Sequence, residues 1–306
     1  MKMARKEFVD LQINGYMGID FSDPALTKDS FLKCADSIFE SGTCLFLPTV
    51  ITSSEELYKR NIGIIYEAVT SHGLLEKIPG LHLEGPFISP EPGAVGAHNP
   101  AWVAAPEKDY LDRLISFAPE FIKILTVAPE REGASELISY ATSKNIVVSM
   151  GHNLAGTKDI AEGAKAGARL ITHMGNGIPN MIHRHQNPVW AALACDDVTS
   201  MIITDGHHLP AEVIKCFIRV KGVDRIIVTS DAASVGGLPP GKYSSLGNDA
   251  ILEPNGLFHN PVKKCLVGSS ASVKKCMDYL ASLEILSDEE LDKVGYYNPM
   301  KMIGLL

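Results

Sequence analysis

Short apolar runs recur along the chain, each followed by a turn and then by apolar residues at helical spacing. Strands are expected at Phe8 to Ile13, Thr43 to Leu47, Ile78 to Leu83, Ile122 to Val127, Ile146 to Met150, Leu170 to Thr172, Met201 to Thr204 and Ile226 to Thr229. Between them the pattern predicts helices over Ser53 to Ser71, Lys108 to Phe117, Gly133 to Ser143, Thr157 to Ala166 and Ala211 to Lys221. Thr27, Ser53 and Thr157 stand where N-caps are expected.

Strands rich in Ile, Val and Leu that alternate with helices imply a buried parallel sheet. Eight of them close a barrel whose interior side chains can fill, so the expected fold is α/β, a (β/α)8 TIM-like barrel. An open doubly wound sheet is the other option. Against it, the first strand-to-helix turn, Gln12 to Gly18, lacks the GxGxxG phosphate cradle. From Ser234 to Gly268 the chain is rich in Gly and Pro, with a small hairpin expected near Asp249 to Leu252 and Leu257 to His259. Helical spacing returns from Ser270 to Leu283 and Asp288 to Val294. Residues 1–306 are expected to form one domain.

A net charge of −8 argues against a general nucleic-acid partner, since neutralising phosphates needs surplus Lys and Arg. A small anionic ligand needs only one or two local cations. The six cysteines are scattered without a CxxC pair, which suggests reduced thiols in the cytoplasm. The N-terminal MKMARKEFVDLQING has no apolar segment of signal-peptide type, and no apolar run reaches the roughly 18 residues that span a bilayer. No membrane association is expected.

In such a barrel the chemistry lies at the C-terminal strand ends. There the chain places Asp10, Gln12 and Asn14; Glu84; His152; His173; Asp205, His207 and His208; and Asp231. One carboxylate and two imidazoles, Glu84, His152 and His173, match a catalytic zinc site with an open position for water. A metal there activates water and polarises the carbonyl under attack. Asp231 is placed to take the proton and return it to the leaving nitrogen, as amide cleavage requires. Singly, each residue has a structural alternative: a capping or core histidine, a turn-stabilising Glu84, an N-capping Asp231. Together on one rim they point to a metal-dependent hydrolase.

Several segments carry a resemblance: DLQINGYMGIDFSD from Asp10, HLEGPFISPEPGAVGAHNP from His82, GHNLA from Gly151, THMGNGIP from Thr172, ITDGHHLP from Ile203, VTSDA from Val228, LPPGKY from Leu238 and NPMKMIGL from Asn298. In these the chain resembles the N-acetylglucosamine-6-phosphate deacetylase family of the amidohydrolase superfamily. HLEGPF followed by GAHNP is the most specific part. The resemblance implies hydrolysis of N-acetylglucosamine 6-phosphate to glucosamine 6-phosphate and acetate, with Glu84, His152 and His173 as metal ligands and Asp231 as acid/base. It also implies that His98 touches the acetamido carbonyl, that His208 binds the sugar, and that Asn176 and Gly177 contribute backbone contacts. An exposed loop histidine is the structural alternative for His98 and His208.

Many superfamily members hold a second metal with a D-x-H-x-H pattern on the first strand. Here Gln12 and Asn14 stand in those positions, and amides are poor ligands, so a single divalent ion is expected. Zinc is the first choice, with iron, manganese and cobalt also compatible. Lys123 lies within strand four and not at its end, so no bridging lysine is expected.

Two departures accompany the resemblance. The accessory β-sandwich usual in the family is expected to be missing. The phosphate-binding arginine is matched only loosely by Arg184, four residues before Pro188 with no Gly following. His183, His185 or Lys242 are alternatives for phosphate, and a solvated turn is an equal alternative for each. A homodimer is expected from the family. The alternatives for function are another N-acyl substrate, such as N-acetylgalactosamine 6-phosphate or an N-acyl amino acid, and an inactive ligand-sensing homologue.

Overall fold

Phe8–Ile13 (β1) is buried along its whole length, and seven further parallel strands follow it in chain order around a barrel. They are Thr43–Ile51 (β2), Leu81–Glu84 (β3), Ile122–Val127 (β4), Val147–Met150 (β5), Leu170–Ile171 (β6), Thr199–Ile203 (β7) and Ile226–Thr229 (β8). The computed structural model describes residues 5–245, 248–262 and 265–306. Parts of the N-terminal stretch and of the Gly- and Pro-rich segment, residues 1–4, 246–247 and 263–264, lie outside the described residues. The ring closes just beyond the last strand: Asp231 N–H donates to the Gln12 carbonyl at 2.9 Å, and Asn14 N–H to that of Ala232 at 2.8 Å.

All eight expected strands form. β2 outruns its expectation, which ended before Pro48, a residue that removes a ladder donor. The strand continues because its ladder with β1 is irregular there, and Ile13 N–H donates to the Thr49 hydroxyl instead. Between the strands run Lys28–Glu40 (α1), Glu55–Ser71 (α2), Lys108–Ser116 (α3), Ala134–Ser143 (α4), Thr157–Ala166 (α5), Pro188–Ala194 (α6) and Ala211–Lys221 (α7). Thr27 caps α1 as expected. The other two caps are displaced by one residue. Ser54, not Ser53, accepts from Leu57 N–H, while the Ser53 hydroxyl donates back to Ile51. Gly156 precedes α5, where the Asp159 carboxylate accepts its N–H.

Period-two alternation gives the barrel an axis of changing polarity. Val9, Leu11, Leu45, Leu47, Ile124, Leu170, Met201 and Ile227 form an apolar cluster, against which Tyr296, Met300, Met302 and Ile303 pack from the C-terminal segment. Two residues on along the strands stand Thr126, Thr172 and Thr229, all buried, as a polar belt; Thr126 and Thr172 are hydrogen-bonded with His82 and Ser149, and Thr229 donates to Asp10. Two residues further on, β8 leads into Asp231. The larger core lies between the outer strand faces and the helices.

The expected hairpin is part of a four-stranded antiparallel sheet, Gly241–Ser245 (β9), Asn248–Leu252 (β10), Phe258–Asn260 (β11) and Cys265–Leu266 (β12). Its own apolar cluster includes Val235, Leu252, Phe258 and Val267. Ser269 N–H donates to the Asp231 carbonyl and ties this sheet to the end of β8. Val273–Ser282 (α8) and shorter helical turns to Met302 complete the chain. Among the described residues no helix is long and apolar enough to cross a membrane.

All six cysteines are free, as their spacing suggested. Burial pushes the Cys34 thiol up to about 12 from 9.0. A raised folded-state pKa contributes stability that is complete below the unfolded value and lost as pH climbs through the folded one. Cys34→Ala is therefore expected to flatten the loss of stability between about pH 9 and 12, by up to roughly 4 kcal/mol at the alkaline end. Urea melts across that window check this; an unaltered slope refutes it.

Candidate active site

Glu84 is the last residue of β3, and His152, His173 and Asp231 each stand two residues past β5, β6 and β8. His152, His173 and Asp231 all have left-handed backbones, with φ of 50°, 26° and 49°. Such backbones cost an L-residue about 1–2 kcal/mol each and persist where the surroundings enforce them. All four side chains are buried or nearly so at the barrel rim.

Glu84 Oε1 lies 3.1 Å from His152 Nε2 and 2.9 Å from His173 Nε2, and the two nitrogens are 3.0 Å apart. Donor atoms spaced in this way suit a shared ion at about 2.0–2.1 Å from each. His152 Nδ1 donates to the Ala94 carbonyl at 2.7 Å, which leaves Nε2 bare for a ligand role. The two histidines hold the Glu84 carboxyl well below its usual range, against a burial that alone would raise it.

Glu84, His98 and His152 also bring three donor atoms within 4.8 Å. Hydrogen bonding separates the two sets. Thr52 N–H donates to His98 Nδ1 at 3.2 Å, so a neutral His98 carries its hydrogen on Nε2. Burial, with the neighbouring His152, keeps His98 neutral by lowering its pKa to about 3. His98 Nε2, 3.8 Å from Glu84 Oε2, is thus a donor facing the site and not a lone pair for an ion.

Asp231 Oδ1 accepts from Asn14 Nδ2 at 2.8 Å and from Gln12 Nε2 at 3.0 Å; Gln12 Nε2 also lies 2.8 Å from Glu84 Oε1. The amides of Gln12, in β1, and Asn14, just past it, therefore act as donors to the carboxylates. Burial and the charge of Glu84 push the Asp231 carboxyl up to about 6.

A cavity of about 350 Å³ opens over these groups, lined also by Asn176, Gly177, His208, Cys265 and Leu266. A side chain at Gly177 (φ 62°) would meet His173 at 2.9 Å and His152 at 3.0 Å, so the backbone there approaches both imidazoles as only glycine allows. His208 Nδ1 pairs with Asp205 Oδ2 at 2.7 Å, which leaves Nε2 free. A larger cavity of about 870 Å³ shares Ile51, Ala97 and His98 with the first.

His98, Asn176, Gly177 and His208 thus line one cavity with Glu84, His152, His173 and Asp231. Arg184 does not: it lies with His183 and His185 in an exposed loop and does not line the cavity, and Lys242 is likewise exposed away from it. Sequence reasoning missed the orienting partners Thr52 and Ala94 and the contribution of the small sheet, and it placed Asp205 at a strand end without giving it a role. Only Asp205, three residues before His208, left a trace in the spacing.

No family model matches the chain. N-acetylglucosamine-6-phosphate deacetylase of Homo sapiens is 31% identical in an alignment that covers 97% of this chain and 74% of that protein. The chain belongs to the N-acetylglucosamine-6-phosphate deacetylase family. N-acetylgalactosamine-6-phosphate deacetylase of Escherichia coli O157:H7 is 28% identical over 97% of this chain and 77% of its own length. Among solved structures, the N-acetylglucosamine-6-phosphate deacetylase of Thermotoga maritima superposes with a TM-score of 0.86 at 29% identity, covering 98% of this chain and 79% of that one. The Mycobacterium smegmatis enzyme gives 0.89 at 25% identity, with 98% and 78% covered. The (β/α)8 barrel, expected from eight strands alternating with helices, and the deacetylase family, expected from the motif resemblance, are therefore both observed.

Proposed function

We propose that the chain hydrolyses N-acetylglucosamine 6-phosphate to glucosamine 6-phosphate and acetate, as one domain over residues 1–306. The observation that carries this is the convergence of Glu84, His152 and His173 on one point, with the Asp231 carboxylate joined to Glu84 through the Gln12 amide. These three side chains would hold a single divalent ion, zinc first, with iron, manganese and cobalt accepted by the same donors. When bound, that ion supplies an activated water and polarises the acetamido carbonyl.

The chain's own residues supply the rest. His98 donates from Nε2 to the carbonyl oxygen, held in that tautomer by Thr52. Asp231 takes the proton from the attacking water and passes it to the nitrogen, so that the amine leaves neutral. His208, oriented by Asp205, and the Asn176–Gly177 backbone bind the sugar. Met181, Ile182 and Trp190 are exposed around Arg184, an apolar surface suited to a second copy of the chain. Arg184 then reaches the phosphate across that dimer. A cytoplasmic enzyme is part of this proposal, supported by the free thiols and by a sugar-phosphate substrate.

The Escherichia coli relative favours N-acetylgalactosamine 6-phosphate as the second reading. Acetate release from both phosphorylated sugars and from free N-acetylglucosamine separates the cases. The highest kcat/KM is expected on N-acetylglucosamine 6-phosphate. A preference for the unphosphorylated sugar would remove the phosphate assignment, and a preference for the galactosamine ester would exchange the two readings.

A further inference from the structure

Asp10 is fully buried in β1 and has no part in the chemistry proposed above. Its Oδ1 accepts from the Thr229 hydroxyl at 2.7 Å, from Ser230 N–H at 3.1 Å and from Gln12 N–H at 3.3 Å. Its Oδ2 accepts from the Ser230 hydroxyl, which in turn accepts Ala232 N–H at 3.0 Å. The residues on both sides of Asp231 therefore hang from one carboxylate, directly at Ser230 and through the Ser230 hydroxyl at Ala232. Asp231 itself is pinned at its two backbone ends, by Gln12 and by Ser269. Its φ of 49° lies in the left-handed region, uncommon outside glycine though better tolerated by aspartate than by most residues, and these contacts hold it there.

Asp10 also sits two residues before Gln12, whose side chain touches both Glu84 and Asp231. A hydrophobic residue would close the seam between the first and last strands as well, and would do so without drawing four donors to one point. The geometry points to Asp10 as a positioning residue for deacetylation, holding the end of β8 so that the Asp231 carboxylate faces the scissile amide. This rests on the deacetylase reading above.

Asp10→Asn keeps the side-chain volume and turns one acceptor oxygen into a donor facing donors. Its kcat on N-acetylglucosamine 6-phosphate is expected to fall roughly tenfold or more, the scale of a displaced general base. KM is expected to stay within about threefold, because the sugar contacts lie on other strands. Metal content, measured on the same sample, is expected to be unchanged. A folded Asp10→Asn protein with wild-type kcat overturns the proposal. So does a loss explained wholly by lost metal.

Where Asp10→Asn does not fold, Ser230→Ala decides. It cuts the link from Asp10 Oδ2 to Ala232 N–H, together with the long contact of the same hydroxyl to the Gln12 carbonyl at 3.4 Å, and a smaller fall in kcat at constant KM is expected; wild-type kcat there overturns the proposal. Wild-type protein that releases no acetate defeats the deacetylase reading instead. The positioning claim is then read from crystal structures of the folded variants. Asp231 leaving the left-handed region supports it, and an unmoved Asp231 refutes it.

Discussion

Asp231→Asn is expected to lower kcat by roughly 10²–10⁴-fold, the usual range for removing a general acid/base, with the metal content retained. The substitution is nearly isosteric. Its carbonyl oxygen can still accept from Gln12 Nε2 and Asn14 Nδ2, as Asp231 Oδ1 does now. The backbone contacts to Gln12 and Ser269 do not involve the side chain, so the left-handed turn remains. What disappears is an oxygen that can take a proton from water and release it to nitrogen. Asp231 is suited to that exchange because burial and the nearby Glu84 raise its proton affinity to a pKa of about 6, close to working pH. Single-turnover rates with metal analysis on the same preparation check this. A kcat within tenfold of wild type, or loss of the ion together with turnover, would show that Asp231 does something else.

That four reactive residues share one rim was legible in the sequence, because a strand's period of two is visible without coordinates. The step from Ile227 to Thr229 to Asp231 reads directly as apolar floor, polar belt and reactive rim. Strand ends were less legible, since tertiary pairing decides them. β3 begins at Leu81 and not at Ile78, whose N–H turns back to the carbonyl of Leu74, three residues past the end of α2. The tautomers of His98 and His152 could not be read at all, because each depends on a backbone group distant in sequence: Thr52 for one and Ala94 for the other. The left-handed backbones of His152, His173 and Asp231 were equally hidden. Asp and His tolerate a positive φ better than most residues, but that tolerance does not single out these three among the chain's other Asp and His; the site selects them. The Arg184 loop shows the opposite limit. Its sequence suggested a phosphate contact, but in one chain Arg184 faces solvent and does not line the cavity.

Glu84→Gln is expected to empty the metal site and abolish turnover together, where Asp231→Asn separates the two. Among the three converging side chains Glu84 alone carries a negative charge, and its Oε1 stands about 3 Å from both imidazole nitrogens. A neutral amide is a far weaker ligand for a divalent transition metal. Its NH₂ group would also compete for the position that Gln12 Nε2 now fills as a donor. Wild-type protein is expected to bind about one equivalent of zinc, since Gln12 and Asn14 spend their NH₂ groups on the carboxylates and leave no imidazole for a second ion. Chelation of the wild type should remove activity, and stoichiometric zinc should restore it. The loaded form should also unfold later, by about 4 kcal/mol where free ion exceeds its Kd a thousandfold. In Glu84→Gln both the restoration and the added stability should vanish, while the fold survives: the β3 ladder to β2 and β4 runs through the backbone, and the buried belt beneath uses His82 and Thr126 instead. Equal ion binding by wild type and Glu84→Gln, measured by metal analysis after dialysis, would dissolve the proposed centre and the hydrolytic role built on it.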